Sequence, residues 1–384
     1  MPALKKKICF VLGNRAHYAR IKPIIKHLAA KNYRLVLFEA AALSQYGNVA
    51  KEISDDLPKD VETDLLFTNV SGGNLVTMTK STGLALVELA SNFLNKKPDV
   101  VVVVADRYEA LAAAVAARYM NIPVAHIQGG ENTGSIDDSV RHAITKLANL
   151  HFVSNEDSAD RVKKMGEEPS IVYNTGCPTL DLVASIKDKD PKAFFQLHGD
   201  YEKRFQLEKK YIVVTFHPVT TEYEKNDENF EVLLKAIDEL GIQAVWLYPN
   251  IDAGSDLIAK RIQLFKSEDR KGKIHFFKHF PAENYLALIK GSLCLVGNSS
   301  VVIRESALLG TPSVNIGTRQ IGRLRGRNVI DCKFSSEEIK QAVKNQVAHG
   351  PYEPDFIYGS GNAGERIAKI LVNSTDSIEK RMTY

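Results

Sequence analysis

The stretch Asp99-Val-Val-Val-Val-Val-Ala105-Asp106-Arg107 decides the fold. Five consecutive β-branched residues leave neither face of the strand for solvent, the pattern of a parallel sheet covered by helices on both sides. An alanine-rich segment, Glu109 to Tyr119, follows at once and reads as a covering helix. A second short strand, Pro123 to Ile127, runs into Gln128-Gly-Gly-Glu131 and a polar loop ending at Asp137, Asp138, Arg141 and His142. Two successive strand ends thereby bring Asp106, Glu131 and Asp137 to the carboxyl edge of the sheet, where open α/β sheets bind ligands. Carboxylates gathered there point to proton chemistry. Asp106 by itself reads as a helix N-cap, a frequent role for Asp. The group as a whole reads as functional, because Gly129, Gly130 and Gly134 leave little local structure for the charges to support.

The same alternation extends in both directions. Residues 7–12 form a first strand that turns through Gly13-Asn14-Arg15-Ala16-His17-Tyr18 into a helix reaching Ala30, a place where an anion could meet backbone N–H groups. No G-x-G-x-x-G is present, so the dinucleotide fingerprint is absent. Further strands are expected at Arg34–Ala40 and Leu65–Val70, with a helix over Asn74–Leu94. The charge-rich segment from Asp188 to Glu208 is the best boundary between domains. Beyond it the strands Tyr211–Phe216, Ala244–Tyr248, Ile274–Phe277, Leu293–Val296 and Ser313–Ile316 alternate with helices in a second doubly wound α/β series.

Composition sets the limits. At 384 residues the chain exceeds most single cores, so two domains are expected. A formal charge of +4 is small for this length and does not argue for nucleic acid as a partner. The apolar run Ile8–Leu12 is too short for a signal peptide, and no run approaches membrane-spanning length. Cys9, Cys177, Cys294 and Cys332 share no metal-ligand spacing and read as reduced thiols in a cytoplasmic protein.

In the second half, Gly297-Asn-Ser-Ser300 is a strand end followed by small residues and an expected helix, Val301–Leu309. Hydroxyls, backbone N–H groups and a helix dipole there suit a phosphate, and a plain Ser N-cap fits the stretch equally. Glu305 offers an acceptor for ribose hydroxyls. His217, after the strand ending at Phe216, is a loop residue or a site residue. Arg319 is a candidate phosphate clamp, although Arg319, Arg323, Arg325 and Arg327 read equally as a solvated loop. The residues alone lead to a phosphate-bearing ligand, with carboxylates of the first series at its reacting end.

These motifs resemble the hydrolysing UDP-N-acetylglucosamine 2-epimerases. The matching pieces run in order: Asn14-Arg-Ala-His-Tyr18, Asp106-Arg107, Gly129-Gly-Glu131, Gly134-Ser-Ile-Asp-Asp138, Arg141-His-Ala-Ile-Thr-Lys146, Gly176-Cys-Pro178, His217-Pro-Val-Thr-Thr221, Pro249-Asn-Ile-Asp-Ala-Gly-Ser255, Gly297-Asn-Ser-Ser300, Arg304-Glu305 and Gly317-Thr-Arg-Gln-Ile-Gly322. The resemblance implies a GT-B architecture: two Rossmann-like doubly wound domains facing across a cleft, residues 1–187 and 188–359. A C-terminal helix, about 360–384, would return to the first domain. It implies that UDP-N-acetylglucosamine and water give UDP and N-acetylmannosamine through a 2-acetamidoglucal, with no metal or nicotinamide cofactor. A nucleotide-sugar substrate, UDP as product and a homodimer or homotetramer follow from it too.

Carried over by position, Asp106 and Asp137 match catalytic carboxylates and His217 a residue lying against the diphosphate. Arg15, Arg107, Asn250, Ser299, Ser300 and Arg319 match substrate and nucleotide positions, and Glu305 the ribose contact. The chain departs from the pattern at Gln128, where Glu is common. Gln cannot act as a base near neutrality, so either Glu131 or Asp106 would take that proton, or this position carries a smaller catalytic share than the resemblance implies. His17 stands where an acid is usual, and Asp256 and Gln263 replace basic residues tied to feedback inhibition in the animal enzyme, so no such inhibition is expected. A UDP- or GDP-linked 2,4-diacetamido-2,4,6-trideoxyhexose is the alternative substrate. A GT-B glycosyltransferase, a non-hydrolysing epimerase and a sugar-nucleotide binder without turnover are the rival readings.

Overall fold

In the structure, a computed structural model, the valine run is a buried central strand: Val100 to Val104 are at most 1% exposed. The structure describes residues 6–38, 49–68, 70, 74–134, 136–186, 208, 210–250, 252–268, 272–374 and 377–383. The run is β4 (Val100–Val104) of a seven-stranded sheet with β1 (Ile8–Leu12), β2 (Tyr33–Phe38), β3 (Glu62–Leu66), β5 (Val124–Ile127), β6 (Leu150–Val153) and β7 (Val172–Asn174). The order is β3-β2-β1-β4-β5-β6-β7, with every pairing parallel. A second parallel sheet has the order β10-β9-β8-β11-β12-β13. Its strands are β8 (Tyr211–Thr215), β9 (Gln243–Leu247), β10 (Ile274–Phe277), β11 (Leu295–Gly297), β12 (Ser313–Ile316) and β13 (Val329–Cys332). In each sheet the winding reverses once, between β1 and β4 and between β8 and β11. Those reversals are the topological switch points at which such sheets bind ligands.

The chain divides into two compact units. One comprises Met1–Asn132, Ile136–Asp181 and Gly359–Tyr384, and the other Thr133–Ser135 and Leu182–Tyr358. The boundary segment read from charge lies mostly outside the described residues. In the first unit, the last helix, Ala363–Asn373, packs on the helix Arg15–Ile25 and adds Ile367, Ala368 and Leu371 to the core. Both its ends are closed by side chains from afar. Asp181 accepts from the N–H groups of Ala363 (3.0 Å) and Gly364 (2.7 Å), and Lys6 Nζ donates to the carbonyls of Leu371 (3.0 Å) and Ser374 (2.8 Å). Opposite charges thus sit at opposite helix ends, as the helix dipole favours.

Three sequence expectations change. The first helix ends at Ile25, capped at Lys26, rather than reaching Ala30. The strand expected at Leu65–Val70 is β3, which begins three residues earlier, at Glu62. The helix expected over Val301–Leu309 is a 3₁₀ turn, Ser300–Val302, followed by a five-residue helix, Glu305–Leu309. Three successive β-branched residues, Val301, Val302 and Ile303, resist a regular α-helix there. The helix-dipole part of the phosphate argument therefore lapses for this loop. β13 and the helix Ser336–His349 were not read from the sequence.

A buried ionic cluster lies under the first sheet's last strands. Glu167 contacts His151 Nε2 (3.0 Å), Lys146 Nζ (2.6 Å) and Lys380 Nζ (2.6 Å). Burial pushes the Glu167 carboxyl up, but hydrogen bonds from His151, Lys146 and Lys380 outweigh it and hold it down at about 2. A carboxylate with a depressed folded pKa stabilises fully above its unfolded value and loses that stabilisation as pH falls towards the folded one. The loss here spans pH 4.5 down to about 2. Glu167→Gln is expected to lower Tm by several degrees at pH 7 and to flatten the fall of Tm with acid. Calorimetry showing equal acid sensitivity in both chains would contradict this.

Candidate functional site

The end of β4 presents Asp106 through a strained turn. Ala105 has φ 59°, the left-handed region that costs a side chain energy. His126, on β5, donates from Nε2 to the Ala105 carbonyl at 2.7 Å. Burial holds His126 down at about 3, so its ring is neutral and the Nε2 proton is committed to this bond. Asp106 does not cap the following helix, Tyr108–Tyr119: the N-cap is Arg107 and has no side-chain capping bond. The Asp106 carboxylate is instead ion-paired with Arg141.

Arg141 is the centre of this group. It is fully buried on the helix Ile136–Leu147, and its guanidinium also donates to the Glu131 carbonyl (2.8 Å) and Asp138 Oδ1 (2.6 Å). Asp137 and Asp138 occupy the first turn of that helix, where negative charge is favoured. Glu131 is buried and accepts from Ser154 Oγ at 2.9 Å. Asp106, Glu131 and Asp138 therefore converge on one guanidinium, and Asp137, half-buried, is next to Asp138.

Gln128, at the end of β5, also has a positive φ, 64°. Its amide is held at both ends: Oε1 accepts from Arg20 Nε (2.6 Å) and Nε2 donates to Cys177 Sγ (3.0 Å). Arg20 and Arg107 both lie near the buried His17, whose basicity is pushed well down by burial and then by those two charges. His17 Nδ1 accepts from the N–H of Gly13 (3.2 Å), and Asn14 Oδ1 accepts from that of His17 (2.8 Å). Two N–H groups of the turn expected to meet an anion are thus committed locally. Arg15, half-buried, opens the helix Arg15–Ile25, and Arg107 pairs with the buried Glu109 at 3.0 Å.

The second unit is built around Asn298, just past β11. Its buried side chain accepts from the His217 N–H (2.8 Å) and donates to the His217 carbonyl (2.8 Å), while its own carbonyl accepts from Gln320 Nε2 (3.0 Å) and Arg319 (3.3 Å). The strand can end here only on glycine. Gly297 has φ 141°, and a Cβ on it would lie 1.7 Å from the Thr215 carbonyl oxygen. His217 Nδ1 accepts from the Asn250 N–H at 3.1 Å, which leaves the ring proton on Nε2 as a donor. Asn250 also bonds Asp252, and Arg319 lies 3.8 Å from the Asp252 carboxylate.

Ser299 precedes the 3₁₀ turn without a side-chain capping bond, so the plain N-cap reading does not hold for it. Ser300 Oγ accepts from the buried Arg304 at 2.8 Å. Glu305 is 4% exposed; among the described residues its Oε2 has no hydrogen-bond partner, and Arg304 Nε lies 4.0 Å from it. The arginine group is not one patch: Arg325 pairs with Asp331 (2.6 Å), Arg323 is buried, and Arg327 is exposed. Arg141, Arg20 and Asn298 were not among the assigned site residues, although two of them lie inside quoted motifs. Among the described residues no group of three or more His, Cys, Asp or Glu could hold a metal ion, and no helix is long and apolar enough to cross a membrane.

Comparison with known proteins meets this geometry. The family model for UDP-N-acetylglucosamine 2-epimerase matches residues 28–372. The UDP-N,N'-diacetylbacillosamine 2-epimerase (hydrolysing) of Legionella pneumophila is 31% identical over 95% of each chain. The UDP-N-acetylglucosamine 2-epimerase of Neisseria meningitidis is 30% identical, over 96% of this chain and 95% of its own. The crystal structure of Methanocaldococcus jannaschii UDP-GlcNAc 2-epimerase with UDP-GlcNAc and UDP superposes with a TM-score of 0.79 at 21% identity, covering 96% of this chain and 100% of that one. The two sheets are those of a GT-B-like two-domain α/β fold. With a model match across most of its length and relatives at this identity over nearly all of it, the chain belongs to the UDP-N-acetylglucosamine 2-epimerase family.

Proposed function

We propose that the protein is a hydrolysing 2-epimerase that converts UDP-N-acetylglucosamine and water to UDP and N-acetylmannosamine. The carrying observation is the convergence of Asp106, Asp138 and the Glu131 backbone on Arg141 at the switch point of the first sheet. A glycosyltransferase has no need for acids aimed at sugar C2. Asp106 removes the C2 proton as the C1–oxygen bond to UDP breaks, giving the 2-acetamidoglucal. Water then adds at C1 and a proton returns to C2 on the opposite face, with Asp137 as the second proton carrier. Gln128 orients Arg20 and carries no proton, and Glu131 holds the loop, which leaves Asp106 as the base.

The second unit serves the leaving group. His217 Nε2–H, the Ser299 and Ser300 loop, Arg319 and the Asn250 turn meet the diphosphate, whose growing charge needs donors at the moment of cleavage. Arg15 and Arg107 supply further positive charge from the first unit. Glu305 Oε2, buried and without a hydrogen-bond partner among the described residues, suits a ribose hydroxyl. The name of the Legionella relative favours a second reading, the same reaction on UDP-N,N'-diacetylbacillosamine.

Incubation of each sugar nucleotide with the protein in D₂O, read by mass spectrometry, tests the proposal. The expected products are UDP and free sugar carrying one deuterium at C2. Deuterated sugar still attached to UDP would make the protein a non-hydrolysing epimerase. Free or transferred sugar without deuterium would remove the C2 chemistry altogether.

A further inference from the structure

Residues 377–383 form neither helix nor strand, and five of the seven are exposed. Apolar burial therefore does not account for their fixed path along the first unit; polar bonds do. Lys380 Nζ donates to the carbonyls of Thr145 (2.9 Å), Lys146 (2.8 Å) and Ala148 (2.6 Å), and it lies 2.6 Å from Glu167 Oε2. Carbonyls in the last turn of a helix lack partners within it, and a lysine ammonium suits both their lone pairs and the negative end of the dipole. Lys380 thus closes the C-terminal end of the helix Ile136–Leu147 across 235 positions of sequence.

The same segment grips a second helix. The Ile378 carbonyl accepts from both terminal nitrogens of Arg118 (3.1 Å each), which stands in the last turn of the helix Tyr108–Tyr119. Arg118 also donates to Asn149 Oδ1 (3.1 Å), and Asn149 Nδ2 donates to the Ser377 carbonyl (3.0 Å). At its far end the segment is fixed again, where the Thr383 N–H donates to the Gly166 carbonyl (3.0 Å).

These two helices pack on each other and are the ones that present the acids. Asp106 stands two residues ahead of Tyr108, and Asp137, Asp138 and Arg141 lie in the N-terminal half of the other helix. The Arg141–Asp106 pair joins the helices at that end. Residues 377–383 join them at the other, about 12 Å along the axis from Asp137 to Thr145. A packed helix shifts as a rod, so releasing one end lets the other slide. A misplacement of about 1 Å at the reacting atoms, even from a change far away, can cost about 10²-fold in rate.

We infer that residues 377–383, acting through Lys380, are a positioning element for the reaction: they hold the register of the two helices that set Asp106 and Asp137 around Arg141. The inference rests on the C2 proton chemistry proposed above. Lys380→Met keeps the stem and removes the ammonium. This variant and a deletion of residues 377–384 are each expected to lower kcat by up to about 10²-fold, with UDP affinity within twofold by calorimetric titration. Asp181→Ala, which removes the N-terminal cap of the last helix, is expected to lower Tm and leave kcat unchanged. Circular dichroism checks folding, and if the deletion does not fold, Lys380→Met carries the test.

Amide hydrogen exchange reads the same shift without turnover. Lys380→Met should speed exchange at residues 145–149 and also in peptides spanning 105–110 and 139–143. Unchanged kcat in the folded tail variants, an equal loss of kcat in Asp181→Ala, or faster exchange confined to residues 145–149 would overturn the positioning role. If the unaltered chain releases no UDP from any sugar nucleotide, the proposed function fails. The exchange pattern then still decides between a clamp that reaches the acids and a local helix cap.

Discussion

Asp106→Asn is expected to lower kcat by about 10²–10⁴-fold, the range over which a positioned acid–base group acts, while leaving UDP affinity within twofold. The two halves of that result have separate causes. Asn keeps the size of Asp and can still accept a hydrogen bond from Arg141, so the buried guanidinium retains a neutral partner beside Asp138 and the Glu131 carbonyl. It cannot take a proton near neutrality. The C2 proton then has no acceptor, and deuterium incorporation should fall in parallel with turnover. The groups proposed to hold the diphosphate and ribose, Ser299, Ser300, Arg319 and Glu305, belong to the other compact unit. Calorimetric titration with UDP separates the two effects. A large loss of UDP affinity would make Asp106 part of the nucleotide site, and unchanged turnover would remove it as the base.

Much of this was legible because burial leaves a mark in composition. The valine run, the alternation of strand and helix, and the ordered motifs all follow from parallel strands that must be apolar on both faces. Asp106, Glu131, His217 and Ser299 could be placed at strand ends for the same reason. The residues that hold them could not. Arg141 meets Asp106 across 35 positions of sequence and Asn298 meets His217 across 81, and such pairings exist only once both sheets are assembled. Ala105 and Gln128 carry positive φ without being glycine, so no residue type announces the turns that aim their neighbours. The Ser300 segment was misread in the other direction, since its run into Glu305 has helical length but β-branched content. Whether Asp106 caps a helix or joins an acid group was a fair question from sequence, and its pairing with Arg141 answers it.

Arg141→Met should cost about 3–5 kcal/mol of stability, the range for removing one partner of a buried ion pair, and should abolish measurable turnover. The guanidinium is wholly buried, and it neutralises two carboxylates that are themselves mostly covered, Asp106 at 17% and Asp138 at 18% side-chain exposure. Methionine fills much of the volume, so packing loss is the smaller part of the expected effect. The larger part is two acids that lose the guanidinium they share and a Glu131 carbonyl that loses the Arg141 donor. Arg141→Lys separates charge from geometry. One ammonium restores the positive charge but cannot reach Asp106, Asp138 and the carbonyl with the fixed fork of a guanidinium, so stability should recover further than activity. The repulsion can be measured directly by adding Asp138→Asn to Arg141→Met. If the two acids are held together by Arg141, neutralising one in the absence of the arginine relieves strain, and the double variant should be more stable than the sum of the singles by about 1 kcal/mol or more. Denaturant unfolding of the four chains gives that coupling, and an additive result would mean that Arg141 acts through packing alone.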